Sequence, residues 1–143
     1  MQRSPAARLV ASIAGCNLRC RLPLWCCEAE AGTACAIRRR LSKQGGGAFM
    51  TWAAFPDSAI EVSQGRRAIR QFNSSDAANR TFCPKCGSTI ALNYHSQPGT
   101  TWLAAGILDG DVGCCPDSHI MLNYKAAWFD LTEHVLHRFP EGG

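Results

Sequence analysis

Nine cysteines in a chain of 143 residues constrain this sequence more than any other feature. The number is odd, so a framework of closed disulfides would leave one thiol over. A chain of this length can bury about 70% of its surface and does not need disulfides in place of a core. Residues 6–15 are a weak match to a signal peptide, because Arg8 and Ser12 interrupt the apolar run. We therefore expect metal-bound thiolates in a reducing compartment, the cytoplasm.

Cys83 and Cys86, in the segment Cys-Pro-Lys-Cys-Gly, form the strongest local motif. Two thiolates at this spacing can supply half of a tetrahedral structural zinc site. The alternatives are a redox dithiol and two ordinary thiols. A redox dithiol would begin a helix, whereas the flanking residues here are typical of strands.

Other cysteines are candidates for the remaining metal ligands. The spacing of Cys16 and Cys20 suits the second half of the same zinc site. Cys26, Cys27 and Cys35 could contribute to another metal, although each taken alone is more typical of a plain thiol.

Short apolar runs separated by turn residues predict a mainly β protein, a single domain of short antiparallel strands. The predicted strands are 48–55, 59–62, 68–72, 88–94, 101–108, 119–124 and 127–131, with a polar turn at 73–79. The expected core residues are Phe49, Trp52, Phe55, Ile69, Phe72, Ile90, Leu92, Trp102, Leu103, Ile107, Ile120, Leu122 and Trp128. Residues 1–44 show no regular alternation of apolar and polar residues. They form an atypical Cys- and Arg-rich segment before a β-rich domain at 45–140.

The charge of the chain is unevenly placed. Residues 1–44 carry eight of the 15 Lys and Arg residues and only two of the 11 acids. The rest of the chain is therefore slightly acidic, which argues against a nucleic-acid partner, since such proteins spread basic residues over a folded face. No apolar run approaches the roughly 18–20 residues of a membrane span, so we expect no membrane partner.

Four stretches of the sequence, in order, resemble one known family. They are Gly46-Gly47-Ala48-Phe49 with Trp52 and Phe55-Pro56; Phe82-Cys83-Pro84-Lys85-Cys86-Gly87-Ser88; Gly106-Ile107-Leu108-Asp109; and His119-Ile120 with Lys125 and Trp128. Together they resemble the glutathione-dependent formaldehyde-activating enzyme family, which includes the centromere protein V-like proteins. The resemblance covers about residues 45–140.

The resemblance implies a β-tent fold pinned by zinc. Family members hold a structural zinc with a Cys-x-Cys near the N-terminus and the later Cys-x-x-Cys. A second, more labile zinc is held by Cys-His-Cys-x-x-Cys just before the glycine segment, with an open position for a substrate thiol. The implied activity is of the carbon–sulfur lyase type and joins glutathione and formaldehyde into S-hydroxymethylglutathione.

The sequence departs from the family pattern at the metal ligands. Residues 36–41 are Ala-Ile-Arg-Arg-Arg-Leu where the second zinc motif would stand, and only Cys35 lies nearby. Cys35 is the one weak candidate for a catalytic residue, and Cys26 and Cys27 are the other candidate ligands for that zinc. Cys83 and Cys86 match the family directly, whereas Cys16 and Cys20 have three residues between them where the family pattern has one. Two interpretations of residues 1–44 stay open, true divergence and a frame-shifted segment.

Three functions are compatible with these residues. The first is a zinc-binding, carbon–sulfur lyase-like protein that acts on a thiol adduct with low turnover and takes a thiol such as glutathione as its partner. The second is a non-catalytic module in which zinc only stabilises the fold. The third, a zinc-ribbon nucleic-acid binder, conflicts with the acidic charge of residues 45–143.

Overall fold

The structure, a computed structural model, describes residues 8–13, 16–23, 33–36, 39–62, 66–109, 116, 118–131 and 137–140. Twelve strands lie in these ranges, so the protein is mainly β, as predicted. The strands are β1 (Arg8–Ile13), β2 (Cys16–Pro23), β3 (Thr33–Ala36), β4 (Met50–Pro56), β5 (Glu61–Val62), β6 (Arg70–Ser75), β7 (Ala78–Phe82), β8 (Thr89–Tyr94), β9 (Thr100–Ala104), β10 (Leu108–Asp109), β11 (Ser118–Ile120) and β12 (His137–Phe139).

The described part of the chain contains one α-helix, α1, over Arg39–Gly45. The helix ends at Gly45. The next residue, Gly46, has a left-handed φ of 69°, and its amide donates to the Ser42 carbonyl at 2.9 Å. Short 3-10 turns occupy Asp57–Ala59, Arg66–Ala68, Ala105–Ile107 and Leu122–Tyr124. None of the described helices has the length and apolar character needed to cross a bilayer.

The described residues group into two compact units. The first unit consists of the described residues within Met1–Ala31 and Ala54–Cys114. It contains an antiparallel sheet of four strands in the order β10-β1-β2-β5. It also contains β9, β8, β7 and β6, which pair as successive antiparallel neighbours. The connection between β7 and β8 carries Cys83 and Cys86.

The second unit consists of the described residues within Gly32–Ala53 and Cys115–Gly143. Here β3 pairs antiparallel with β4, β11 pairs parallel with β3, and β12 pairs parallel with β11. The prediction of antiparallel strands throughout is therefore wrong for β11. Because β3 and β11 are far apart in the sequence, no hairpin dictates their relative direction. The domain boundary expected at residue 45 stays a prediction.

Strand β4 carries the most continuous burial. Trp52, Ala53, Ala54 and Phe55 are all at most 5% exposed. Successive side chains on a strand point to opposite faces, so both faces of β4 are covered and its sequence is a continuous apolar run. The other buried hydrophobic residues are Ala78, Cys83, Ile90, Ala91, Leu92, Leu103, Ala104 and Ile107.

Three aromatic residues expected in the core are exposed. Phe49 is 40%, Phe72 is 61% and Trp128 is 73% exposed. Phe72 lies on β6, which ends its sheet and pairs with β7 alone among the described strands. Trp128 lies in a turn, and not in the strand expected at 127–131. The remaining core candidates Ile69, Trp102, Ile120 and Leu122 are half-buried.

The sequence prediction missed β7. Residues 73–79 were expected to form one polar turn, but only Asp76 and Ala77 form it. The strand that follows has the sequence Ala-Asn-Arg-Thr-Phe, which lacks an apolar run, and its Arg80 is nevertheless buried. Strands β1 to β3 and helix α1 likewise lie in the segment for which no regular period was found.

Replacing Phe55 by alanine should destabilise the fold far more than replacing Phe72 by alanine. Phe55→Ala removes a buried ring from β4 and should lower the free energy of unfolding by about 3–5 kcal/mol. Phe72→Ala removes an exposed ring and should cost about 1 kcal/mol or less. Urea unfolding followed by circular dichroism measures both, and equal losses would contradict the burial described for β4.

Candidate functional site

The turn between β7 and β8 holds Cys83 and Cys86 in a compact knuckle. The Cys83 amide donates to the Ser88 carbonyl at 2.9 Å, and the Gly87 amide donates to the Cys83 carbonyl at 2.8 Å. Gly87 has a φ of 75°, a left-handed conformation that favours glycine. Cys83 is 1% exposed, whereas Cys86 is an exposed thiol. The turn therefore presents one sulfur to the interior and one to the surface.

Ser88 influences the thiol of Cys86. The Cys86 Sγ and Ser88 Oγ atoms are 3.2 Å apart, within hydrogen-bond distance. This side-chain hydrogen bond, followed by one with the Ser88 backbone, lowers the pKa of the Cys86 thiol below its usual value. The thiolate is the form that binds metal ions. The local structure thus favours the state of Cys86 that a zinc site needs.

Cys83 is disulfide-bonded. A sulfur in a disulfide has no thiolate to offer a metal, so Cys83 can serve as a zinc ligand only once that bond is reduced. The reduced pair of Cys83 and Cys86 fits half of the ligand set that structural zinc takes. Among the side chains that the structure describes, no cluster of three or more His, Cys, Asp or Glu residues is present.

The other predicted ligands fall in three places. Cys16 and Cys20 lie on β2, where Cys20 pairs with Val62 of β5 in the same unit as the knuckle. Their role in completing the zinc site stays a prediction. Cys26 and Cys27 lie outside the described residues.

Cys35 lies on β3, within the second unit. It is in register with Thr51 of β4 on one side and with His119 of β11 on the other. The side chain of His119 is 4% exposed and therefore buried. Residues 36–41, where the family places its second zinc motif, end β3 and begin α1.

A cleft in the second unit lies beside the end of α1. Its volume is about 730 Å³, and it is lined by Ser42, Lys43, Gly46, Gly47, Lys125, Ala126, Ala127 and Trp128. We call it the Lys–Trp cleft. Among the lining residues that the structure describes, the two charged ones are lysines and none is acidic. An anionic ligand therefore suits it better than a cationic one.

The walls of the Lys–Trp cleft are held by local contacts. The Lys125 Nζ atom donates to the Phe129 carbonyl at 3.0 Å. The ring of Phe129 lies 6.3 Å from that of Trp128 and 5.7 Å from that of Phe49. The Ser42 hydroxyl donates to the Ala48 carbonyl at 3.0 Å across the glycine turn. These contacts order the exposed indole and one lysine.

Sequence reasoning found this cleft only in part. Lys125 and Trp128 were singled out because they match the family's tail motif, but Trp128 was expected in the core. Lys43 was not singled out at all. It carries no local motif, and only the fold brings it to the same cleft as Lys125.

Three comparisons place the chain among known proteins. The profile of the family described as "Glutathione-dependent formaldehyde-activating enzyme" matches residues 26–124. A crystal structure of a Rhodobacter sphaeroides protein, a structural genomics target, has a TM-score of 0.58 and 18% identity over 75% of this chain and 97% of that one. At this identity the likeness shows the fold alone. No curated protein matches the chain.

The family match begins within residues 1–44, the segment with an atypical sequence, and ends one residue before Lys125. It includes Cys35, the Cys83–Cys86 knuckle and His119. Because it covers well over half of the sequence, the chain belongs to the glutathione-dependent formaldehyde-activating enzyme family.

Proposed function

We propose that this chain is a zinc-binding protein of the carbon–sulfur lyase type that binds a glutathione-like thiol in the Lys–Trp cleft. The observation that carries the proposal is that two lysines and an exposed indole line one cleft, with no acid among its described lining residues. Family membership supports the choice of a thiol ligand.

The chemistry of glutathione matches the residues of the cleft. At neutral pH the tripeptide carries two carboxylates, one ammonium group and a neutral thiol, so its net charge is negative. Lys43 and Lys125 can each pair with one carboxylate, and the Trp128 ring offers an apolar face to the peptide backbone. Both lysines lie at the surface, so we expect binding to weaken as salt is added.

The proposed reaction is the addition of the thiol to an aldehyde. The sulfur forms a bond to the carbonyl carbon, the carbon–oxygen π bond breaks, and the oxygen takes the proton lost by the thiol. A zinc ion, when bound near the thiol, lowers its pKa and keeps it as the nucleophile. The residues of this chain bind and orient the thiol through the lysines and the indole.

We expect the turnover of this chain to be low. The second zinc of the family needs several ligands close together, and residues 36–41 contain no cysteine. Cys35, Cys26 and Cys27 are the remaining ligand candidates, with Cys35 as the candidate catalytic thiol. If they do not converge, the chain is a non-catalytic zinc module. We place the protein in the cytoplasm, where thiols stay reduced.

Removing the knuckle cysteine should remove zinc from the protein. In Cys83→Ser, zinc per chain measured by elemental analysis should fall by about one ion, and the melting temperature should fall with it, because metal binding is coupled to folding. Lys85→Ala is the matched control, since it lies between the two cysteines and supplies no ligand. If a Cys83→Ser, Cys86→Ser double variant keeps its zinc and its stability, the zinc proposal is wrong.

Charge removal in the Lys–Trp cleft should weaken glutathione binding. Lys43→Gln and Lys125→Gln should each raise the Kd about twofold to fivefold, the range of exposed ion pairs. Trp128→Ala should also raise it, without loss of stability, since the indole is exposed. Calorimetric titration of the zinc-loaded protein measures these values. Lys85→Gln removes the same charge elsewhere, and an equal effect there would refute the cleft as the binding site.

Restoring the family's missing thiols should create a second zinc site. The triple variant Ala36→Cys, Arg38→Cys, Leu41→Cys installs Cys-x-Cys-x-x-Cys over residues 36–41, and it should bind one more zinc per chain than the parent. Glutathione–formaldehyde addition, followed by NMR, should accelerate in the variant and be slow in the parent. Strong turnover by the parent chain that disappears in Cys35→Ser would instead identify Cys35 as part of a working site.

A further inference from the structure

A second cavity lies within the first unit. Its volume is about 520 Å³, which is in the range of small-molecule pockets. Its lining residues are Asp57, Ile60, Val62, Arg66, Ile69, Arg70, Gln71, Thr81, Ile90, Ala91, Asn93, Thr101, Leu103 and Ile107. We call it the arginine cavity. Its described lining residues all differ from those of the Lys–Trp cleft, and none of them is a cysteine or a histidine.

Two arginines supply the positive charge of the arginine cavity. The Arg70 Nη1 atom donates to the carbonyls of Arg67 at 3.0 Å and Ile69 at 3.3 Å. These bonds hold the guanidinium in place and leave its Nη2 and Nε donors for another acceptor. Among the described residues, neither Arg66 nor Arg70 forms an ion pair with a carboxylate. Their charges are therefore available to a ligand.

Asp57, the acidic residue among the described lining residues, already accepts a hydrogen bond from a neighbouring side chain. The Thr101 hydroxyl donates to Asp57 Oδ1 at 2.6 Å, and the Asn93 Nδ2 atom donates to the same Thr101 oxygen at 2.6 Å. This chain of hydrogen bonds ties Asp57, which follows β4, to β9 and β8. Asp57 therefore has a structural partner other than the arginines, and the two arginines leave the described lining with a net positive charge.

The rest of the lining is largely aliphatic. Its large aliphatic members are Ile60, Val62, Ile69, Ile90, Leu103 and Ile107, beside the polar Gln71, Thr81, Asn93 and Thr101. Ile90, Leu103 and Ile107 belong to the buried core, so this wall is anchored in the strands and the 3-10 turn at Ala105–Ile107. An apolar ligand placed against it would be removed from water, at a gain of roughly 0.8 kcal/mol per methylene group.

We propose that the arginine cavity binds a small monocarboxylate with an aliphatic body. The carboxylate accepts hydrogen bonds from Arg66 and Arg70, whose guanidinium groups match its planar geometry. The aliphatic body lies against the isoleucine and leucine wall. Inorganic phosphate matches the arginines but leaves that wall exposed to water. The proposed role is binding alone, since none of the described lining residues is a cysteine or a histidine.

Octanoate is the probe for this proposal, titrated calorimetrically into the full-length, zinc-loaded protein. Affinity should rise about threefold to fourfold per methylene from butanoate to octanoate. Acetate, inorganic phosphate and 1-octanol should bind at least tenfold more weakly than octanoate. Octylammonium binding as tight as octanoate would overturn the proposal, because Asp57 and not the arginines would then select the ligand. Failure of every carboxylate to bind at millimolar concentration would overturn it as well.

Matched variants test which charges hold the carboxylate. Arg70→Gln and Arg66→Gln should each weaken octanoate binding by about tenfold, the lower range for hydrogen bonds to charged groups. Arg67→Gln changes the same charge in the same 3-10 turn but does not line the cavity. It should leave the octanoate Kd unchanged, as should Lys125→Gln in the Lys–Trp cleft. Equal weakening by Arg67→Gln would mean that general surface charge, and not this cavity, attracts the ligand.

Discussion

The burial of Trp52–Phe55 on both faces of β4 is the constraint on which the pairing of β3 with β4 depends. A strand that is covered on both faces cannot satisfy its backbone amides and carbonyls with water, so they must pair with neighbouring strands. The register that results places Ala34 opposite Trp52 and Cys35 opposite Thr51. Through β3, the same pairing sets Cys35 beside His119 of β11. The positions of Cys35 and His119 thus follow from the packing of one apolar segment.

The parts of the site that could be predicted from the sequence are those whose residues are neighbours in the chain. The Cys83–Cys86 knuckle depends on a glycine and a short turn, and both are visible in the motif. The Lys–Trp cleft depends on Lys43 and Lys125, which only tertiary structure brings together. Among the strands, β4 was predictable because its apolar run is unbroken. Strand β7 was not, because a polar strand with a buried arginine has no hydrophobic period to detect.

The aromatic residues explain the errors in the predicted core. Aromatic side chains bury large apolar areas, which made Phe49, Phe72 and Trp128 reasonable core candidates. Phe49 and Trp128 instead form a small surface cluster with Phe129 next to the Lys–Trp cleft. The three rings pack against one another while part of their apolar surface stays exposed.

The open outer side of β6 has a consequence for the behaviour of the protein at high concentration. No described strand covers that side, so its amides and carbonyls can pair with the edge of another molecule, and Phe72 adds an apolar anchor. Arg66, Arg67 and Arg70 precede or begin the strand and oppose such stacking through charge repulsion. Anions that neutralise these arginines would weaken that repulsion. The colloidal stability of the protein should therefore depend on the salt and the counter-ion as well as on the folded state.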